Sequence, residues 1–194
     1  MATSRQASAG FSLVEVLVSI VVLSVGLLGA IGMLLAAVRT GKEAATFAAA
    51  VNLVRDLSEK VRMNPGVAAR KDAGNTYLVA NWTADVGTGL AASGCTGVGT
   101  TCDPESLAAW DISEWQRRVA KALPGARLSV CFDDKPWNAA AGEYAWACSQ
   151  SGRNVVVKLG WVPHAVAADA RQEGQEGNQQ RELPPRLVMQ LVSE

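Results

Sequence analysis

The sequence predicts an α+β protein: one long N-terminal helix, apolar in its first half and amphipathic in its second, packed on a small antiparallel β-sheet head. Three observations predict it. Val16 to Val38 contains no charged residue over 23 positions. Phe47, Val51, Val54, Leu57 and Val61 then recur at three- and four-residue steps, the spacing of one buried helical stripe. Beyond residue 125, three stretches alternate with the period of two that a strand requires.

Composition narrows the function classes. The chain has 194 residues with 18 basic and 18 acidic side chains, so no global field recruits nucleic acid or anionic lipid. Hydrophobic content is 49%, and a large share of it sits in residues 11–38. The residues beyond 63, roughly 130 of them, suffice for one modest core. All four cysteines, Cys95, Cys102, Cys131 and Cys148, lie beyond residue 94, without a Cys-x-x-Cys pair, and His164 is the only histidine. A structural zinc site needs about four closely spaced N or S ligands, so no metal is expected. An even count behind an export segment points to disulfides in an oxidising compartment. Three pairings are open. The local ones, 95–102 and 131–148, are favoured, at about 2–3 kcal/mol each by loop closure.

The apolar run is about 34 Å long as a helix, against a hydrocarbon core of roughly 30 Å. Arg5 precedes it and the stretch Met1–Gly10 contains no acid, which predicts a cytoplasmic N-terminus and an exported remainder. A secretory signal has an apolar region of about 7–15 residues and a small-residue cleavage site. Here the run is longer, and Arg39-Thr-Gly-Lys-Glu follows it. A single carboxylate, Glu15, stands near the start of this helix. Such a group costs about 2.5–3.5 kcal/mol at a bilayer centre, and less near the interface. Were the chain cut after Gly10, an amine at Phe11 would stand four residues away on the same helical face. That amine, or a neighbouring subunit's, can pair with Glu15 and fix axial register. The competing reading is an interfacial acid that reaches back to water.

The stretch Gly10-Phe11-Ser12-Leu13-Val14-Glu15-Val16-Leu17-Val18 resembles the class III leader junction of type IV pilins and type II secretion pseudopilins. The resemblance implies that a prepilin peptidase cuts between Gly10 and Phe11 and N-methylates Phe11. It also makes Glu15 the acid used in subunit assembly. It implies a prepilin leader at 1–10, a transmembrane and assembly half of the helix at 11–38, an amphipathic half at 39–63 and a periplasmic globular head at 64–194. Gly26, Gly29 and Gly32 fall where the family's helices loosen inside filaments. Each glycine weakens a helix by about 1 kcal/mol, but small residues also serve close helix packing.

The second half of the helix places Arg55, Asp56, Glu59, Lys60 and Arg62 between its apolar positions, which reads as a solvated face. Asn64-Pro65-Gly66 stops it. Thr76–Val79 reads as a short strand. Thr88 to Thr101, rich in glycine and threonine, reads as a disulfide-closed loop. Asp103-Pro104-Glu105 is a helix start, and Asp111-Ile-Ser-Glu114 repeats a capping box. Residues 104–123 therefore read as two short helices or one bent helix, with Trp115, Val119 and Leu123 in the apolar stripe and Leu123-Pro124-Gly125 as its end. Strands follow at Ala126–Phe132, Asn154–Val162 and Arg186–Val192, the last two joined by the polar linker Ala165–Pro185.

The set Asp56-Leu57, Arg62-Met63-Asn64-Pro65, Cys102, Trp110-Asp111, Trp115-Gln116, Leu123-Pro124-Gly125 and Val155–Trp161 resembles PilV-type minor pilins. It departs from their pattern at Met63, in place of alanine, and at Ala126, in place of glycine. This resemblance implies a minor pilin that helps to prime or cap a type IV pilus at or near its tip. Its implied partners are prepilin peptidase, other minor pilins, the major pilin, a tip adhesin and the inner membrane. The implied location is the inner membrane, crossed once, and then the fibre. No Ser/His/Asp set stands above chance, and no phosphate-binding glycine loop adjoins a strand, so neither an enzyme nor a cofactor is expected. Asp133-Asp134 reads as a solvated turn rather than a calcium site, which takes about six to eight oxygens. His164 reads as an exposed turn residue. The six tryptophans read as core packing rather than an adhesive or carbohydrate-binding surface. Two alternatives remain: a minor pseudopilin of type II secretion, and a single-pass membrane-anchored periplasmic enzyme or sensor.

Overall fold

The computed structural model describes residues 10, 12–84, 95, 97, 99–163 and 183–192. The expected features at Phe11, His164 and most of the 88–101 loop and 165–185 linker lie outside them. The elements run α1 (Leu13–Met63), α2 (Pro65–Ala68), β1 (Val79–Thr83), α3 (Pro104–Ala122), β2 (Arg127–Phe132), β3 (Trp137–Asn138), β4 (Glu143–Tyr144), β5 (Val155–Gly160) and β6 (Leu187–Val192). A long N-terminal helix followed by a small antiparallel sheet is the α+β class read from the sequence. The chain forms two compact units, one ending at Gly41 and one beginning at Lys42.

In the first unit, α1 runs without a break through Gly26, Gly29 and Gly32. Every described side chain there is exposed, and a Cβ at any of these three glycines would meet open space.

In the second unit, the remainder of α1 buries Ala50, Val54, Leu57 and Val61. This is the expected stripe, moved by one position at its N-terminal end. Ala50 is buried while Phe47 stays largely exposed, its ring centroid 6.0 Å from that of Trp161. The helix ends at Met63, and Pro65 opens the single turn α2. Asn64 fastens this corner by donating from Nδ2 to the Pro104 carbonyl at 2.7 Å.

The expected strand at 76–79 lies later, at Val79–Thr83. Asn75 explains the shift. Its Oδ1 accepts the Tyr77 amide and its Nδ2 donates to the Ala68 and Arg70 carbonyls, so the chain turns there before it can extend. Residues 104–122 form one helix. Asp103 caps it, accepting the Ser106 amide at 2.8 Å. The second capping signal is overridden by packing. Asp111 sits mid-helix, nearly buried, with Lys60 Nζ 2.6 Å from its Oδ1.

The four-stranded sheet has the order β1-β2-β5-β6, antiparallel throughout. Leu128, Val130, Val157, Leu159, Leu187 and Leu191 join the core that α1 and α3 cover. On α3, Trp115 is fully buried and donates from Nε1 to the Leu53 carbonyl of α1 at 2.7 Å. The outer edge of β6 meets α1, where Ser58 Oγ donates to the Leu191 carbonyl at 2.7 Å.

The opposite face of β2 and β5 is not solvated, contrary to the alternation in sequence. Ser129, Cys131, Val156 and Lys158 are all buried there. The segment from Asp133 to Gln150 provides much of the cover. It contains a two-stranded ribbon, β3 with β4, that the sequence did not reveal. Strands of two residues are too short to show a period.

Candidate functional site

Two regions concentrate chemistry: the start of α1 and the buried polar groups of the head. At the first, Ser12 is the pivot. Its carbonyl accepts the Glu15 amide at 3.0 Å and the Val16 amide at 3.2 Å, which opens the helix immediately after Gly10 and Phe11. Gly10 is exposed with no neighbour within 4 Å of the place a Cβ would take. That leaves the Gly10–Phe11 junction sterically open on its glycine side. Glu15 lies in the first turn, where a carboxylate interacts favourably with the helix dipole. Its side chain is exposed. Ser19 Oγ and Ser24 Oγ turn back to the Glu15 and Ile20 carbonyls, each at 2.7 Å, so these hydroxyls are satisfied inside the helix.

Beyond Glu15 the exposed surface of the first unit is largely apolar from Val16 to Val38. Leu13, Leu17, Ile20, Leu28 and Met33 are each more than half exposed. A continuous apolar face of this size marks a membrane or partner surface. By length and composition the helix can cross a membrane. Phe11, the second half of the expected processing junction, lies outside the described residues.

In the head, both cysteine pairs form bridges. Cys95 joins Cys102 with Cα atoms 5.9 Å apart, and Cys131 joins Cys148 at 6.3 Å. Both are the local pairings. Cys131, Asp133 and Cys148 lie close enough together to suggest a metal set, but the two sulfurs are consumed in the disulfide.

Asp133 corrects the sequence reading. It is buried rather than solvated, 2.5 Å from Lys158 Nζ, and both side chains are fully inaccessible. Lys158 also donates to the Ala145 and Ala147 carbonyls, at 2.8 and 2.7 Å. Asp133 Oδ1 accepts the Lys135 and Ser149 amides. Burial pushes the Asp133 carboxyl up, but pairing with Lys158 and these amide bonds outweigh it and hold the group below the usual carboxylate range. Lys158 was missed in the sequence because it occupies a polar position in an alternating strand, where a solvated lysine is the ordinary expectation. Asp134 does face solvent, and the Ser149 and Ser151 hydroxyls hold its carboxyl low.

A second network joins α1 to α3. The charged face of α1 is only partly solvated: Lys60 pairs with Asp111 and lies over the Trp110 ring, and Asp56 pairs with Arg118. Tyr77 Oη donates to Asp111 Oδ2 at 3.3 Å. Burial first, and then the Asp111 charge, push the Tyr77 hydroxyl up to about 12.

The tryptophans span a range of burial, with Trp82, Trp110 and Trp146 half-buried. Trp115 and Trp161 are buried, as expected of core residues, while Trp137 on β3 is 52% exposed and meets Tyr144 edge-on at 5.1 Å.

Among known families, the prokaryotic N-terminal methylation motif matches residues 5–31. No curated protein and no solved structure matches the chain. The matched stretch contains Gly10, Phe11, Glu15 and the first half of the apolar helix. The chain therefore carries an N-terminal methylation motif, the signal of pilin-like prepilins, at the head of a membrane-length helix.

Proposed function

We propose that this chain is a minor pilin of a type IV pilus. Prepilin peptidase cuts between Gly10 and Phe11 and N-methylates Phe11. The leader comprises residues 1–10, and the assembly half of the helix comprises 11–38. Before assembly the protein crosses the inner membrane once, with its N-terminus cytoplasmic and residues 64–194 in the periplasm. It then enters the fibre at or near the tip. There it primes assembly with other minor pilins, the major pilin and a tip adhesin. The single observation that carries this reading is the methylation motif at residues 5–31, continuous with an apolar helix whose described side chains are exposed.

Glu15 is the register group. In an apolar fibre core a carboxylate requires a positive partner, and the amine released at Phe11 of a neighbouring subunit provides one. The protein itself carries out no chemistry in this role.

The test is the mass and N-terminal sequence of the protein recovered from membranes of cells expressing prepilin peptidase. A chain beginning at N-methylated Phe11 is expected. A chain that still begins at Met1 in the presence of the peptidase overturns the reading and favours a membrane-anchored enzyme or sensor. Copurification of tip pilins, rather than components of a type II secretion system, separates the minor pilin from a minor pseudopilin.

A further inference from the structure

A cleft of about 470 Å³ opens where the end of α1, the α2 turn and the start of β5 meet. Its volume falls within the roughly 300–1,000 Å³ typical of ligand sites. Val61, Pro65, Ala68, Phe132 and Val155 give it apolar walls. Its remaining lining includes Arg62, Lys71 and Arg153, and among the described residues no acidic side chain lines it. In a chain with equal numbers of acidic and basic side chains, this is a local departure from neutrality.

The three cations come from separate parts of the chain and are not equally free. Lys71 donates to the Gly152 carbonyl at 2.9 Å and lies 5.4 Å from the Phe132 ring centroid, so it forms part of the wall. Among the described residues Arg62 pairs with Glu59, at 3.3 Å, with both side chains more than half exposed, and such a pair contributes about 0–1 kcal/mol. Arg153 is exposed and makes no ion pair among the described residues. Neighbouring Arg70 is already engaged by Asp72 and Glu105. Two guanidinium groups are thus available at an apolar cleft, and guanidinium is the group best suited to bidentate carboxylate binding.

We infer that this cleft binds an acidic, amphipathic peptide segment of a partner protein, seating an apolar side chain against Pro65 and Ala69 and its carboxylates on Arg62 and Arg153. A purely ionic ligand such as a phosphate chain would leave the exposed Pro65 and Ala69 of the apolar wall uncovered. The inference does not depend on processing at Gly10, because every residue in it belongs to the unit that begins at Lys42.

The test is fluorescence anisotropy with the full chain in detergent. The probes are a labelled peptide alternating leucine with glutamate, its glutamine counterpart, a glycine–glutamate peptide of equal charge, and a single-stranded oligonucleotide. The leucine–glutamate peptide should bind at least tenfold more tightly than each of the other three. Its affinity should fall at least tenfold in Arg62→Gln/Arg153→Gln, and further in Arg62→Glu/Arg153→Glu, with near-UV circular dichroism unchanged in both variants. Equal binding of the glutamine counterpart, tighter binding of the oligonucleotide, or unaltered binding by a folded double variant overturns the inference.

Discussion

Lys158 Nζ lies 2.5 Å from Asp133 Oδ2, and neither side chain reaches solvent. The lysine belongs to the central strand β5, and the aspartate opens the excursion that crosses over it. The same ammonium reaches the Ala145 and Ala147 carbonyls at the far end of that excursion, so one buried charge holds both of its ends to the sheet.

Removing one partner strands the other. Lys158→Met should destabilise the head by roughly 3–5 kcal/mol, since a buried charge without a partner is far more costly than no charge at all. Lys158→Met combined with Asp133→Asn should lose clearly less than the sum of the two single variants. Denaturant unfolding of all four proteins measures the coupling. Simple additivity would show that the pair does not act as a unit.

The low carboxyl of Asp133 fixes the sign of one acid response. Its folded value lies below its unfolded value, so its contribution is fully present above about pH 4 and is lost as pH falls through the folded value. Stability measured from pH 5 downward should therefore fall less steeply in Asp133→Asn than in the parent protein. Asp103 and Asp134 are also held low by hydrogen bonds, so a residual slope should persist in the variant.

Tyr77 gives the opposite sign at alkaline pH. Its hydroxyl is raised to about 12 by burial and the Asp111 charge, so between pH 10 and 12 the unfolded chain loses a proton that the folded one retains. Stability should fall through that window, with a slope from this group approaching ~1.4 kcal/mol per pH unit. In Tyr77→Phe that component should vanish, although the variant is less stable at pH 7. Thermal unfolding at pH 8, 10 and 11 compares the two slopes.

The two bridges should differ in effect. Loop closure gives about 3 kcal/mol for the 17-residue separation of Cys131 and Cys148, and somewhat less for the 7-residue separation of Cys95 and Cys102. Serine replacement of Cys131 and Cys148 should also raise amide exchange at Ala145 to Ser149, because the cover over Lys158 loses its covalent tie. Hydrogen exchange followed by mass spectrometry reads this directly. Equal exchange in parent and variant would mean that Lys158 holds the segment unaided.

Glu15→Leu should leave the unfolding of the head unchanged, because Glu15 precedes Gly41 and the head packs as a separate unit. In cells, recovery of the variant in sheared pilus fractions should drop by at least tenfold. Recovery equal to that of the parent would remove Glu15 from assembly.

How much of this was legible in the sequence depended on range. The membrane-length helix and the β2, β5 and β6 strands follow from periodicity, which is local, and each appears within two residues of its expected bounds. The missed features are those decided by distant partners. Asp111 carries a capping signal in sequence, yet Lys60, 51 residues earlier, holds it inside a helix. Asp133 looks like a surface turn residue until β5 brings Lys158 beneath it. The Gly10–Phe11–Glu15 spacing was readable because it is a linear signal, matched within residues 5–31 without any tertiary contact. The cationic cleft was not, since Arg62, Lys71 and Arg153 converge only through tertiary structure.

The bond from Ser58 to Leu191 has a consequence for how one copy of the protein meets another. The edge of β6 gives one carbonyl to α1 rather than presenting it to another chain. At the other edge, β1 loses register between Val79 and Trp82 and turns at Asn81 with φ of 56°. A strand broken in this way is a poor template for a stranger's backbone. Two such blunted margins suit a molecule held at high local density beside its neighbours, because they leave side-chain contacts, rather than strand pairing, to decide which neighbours it keeps.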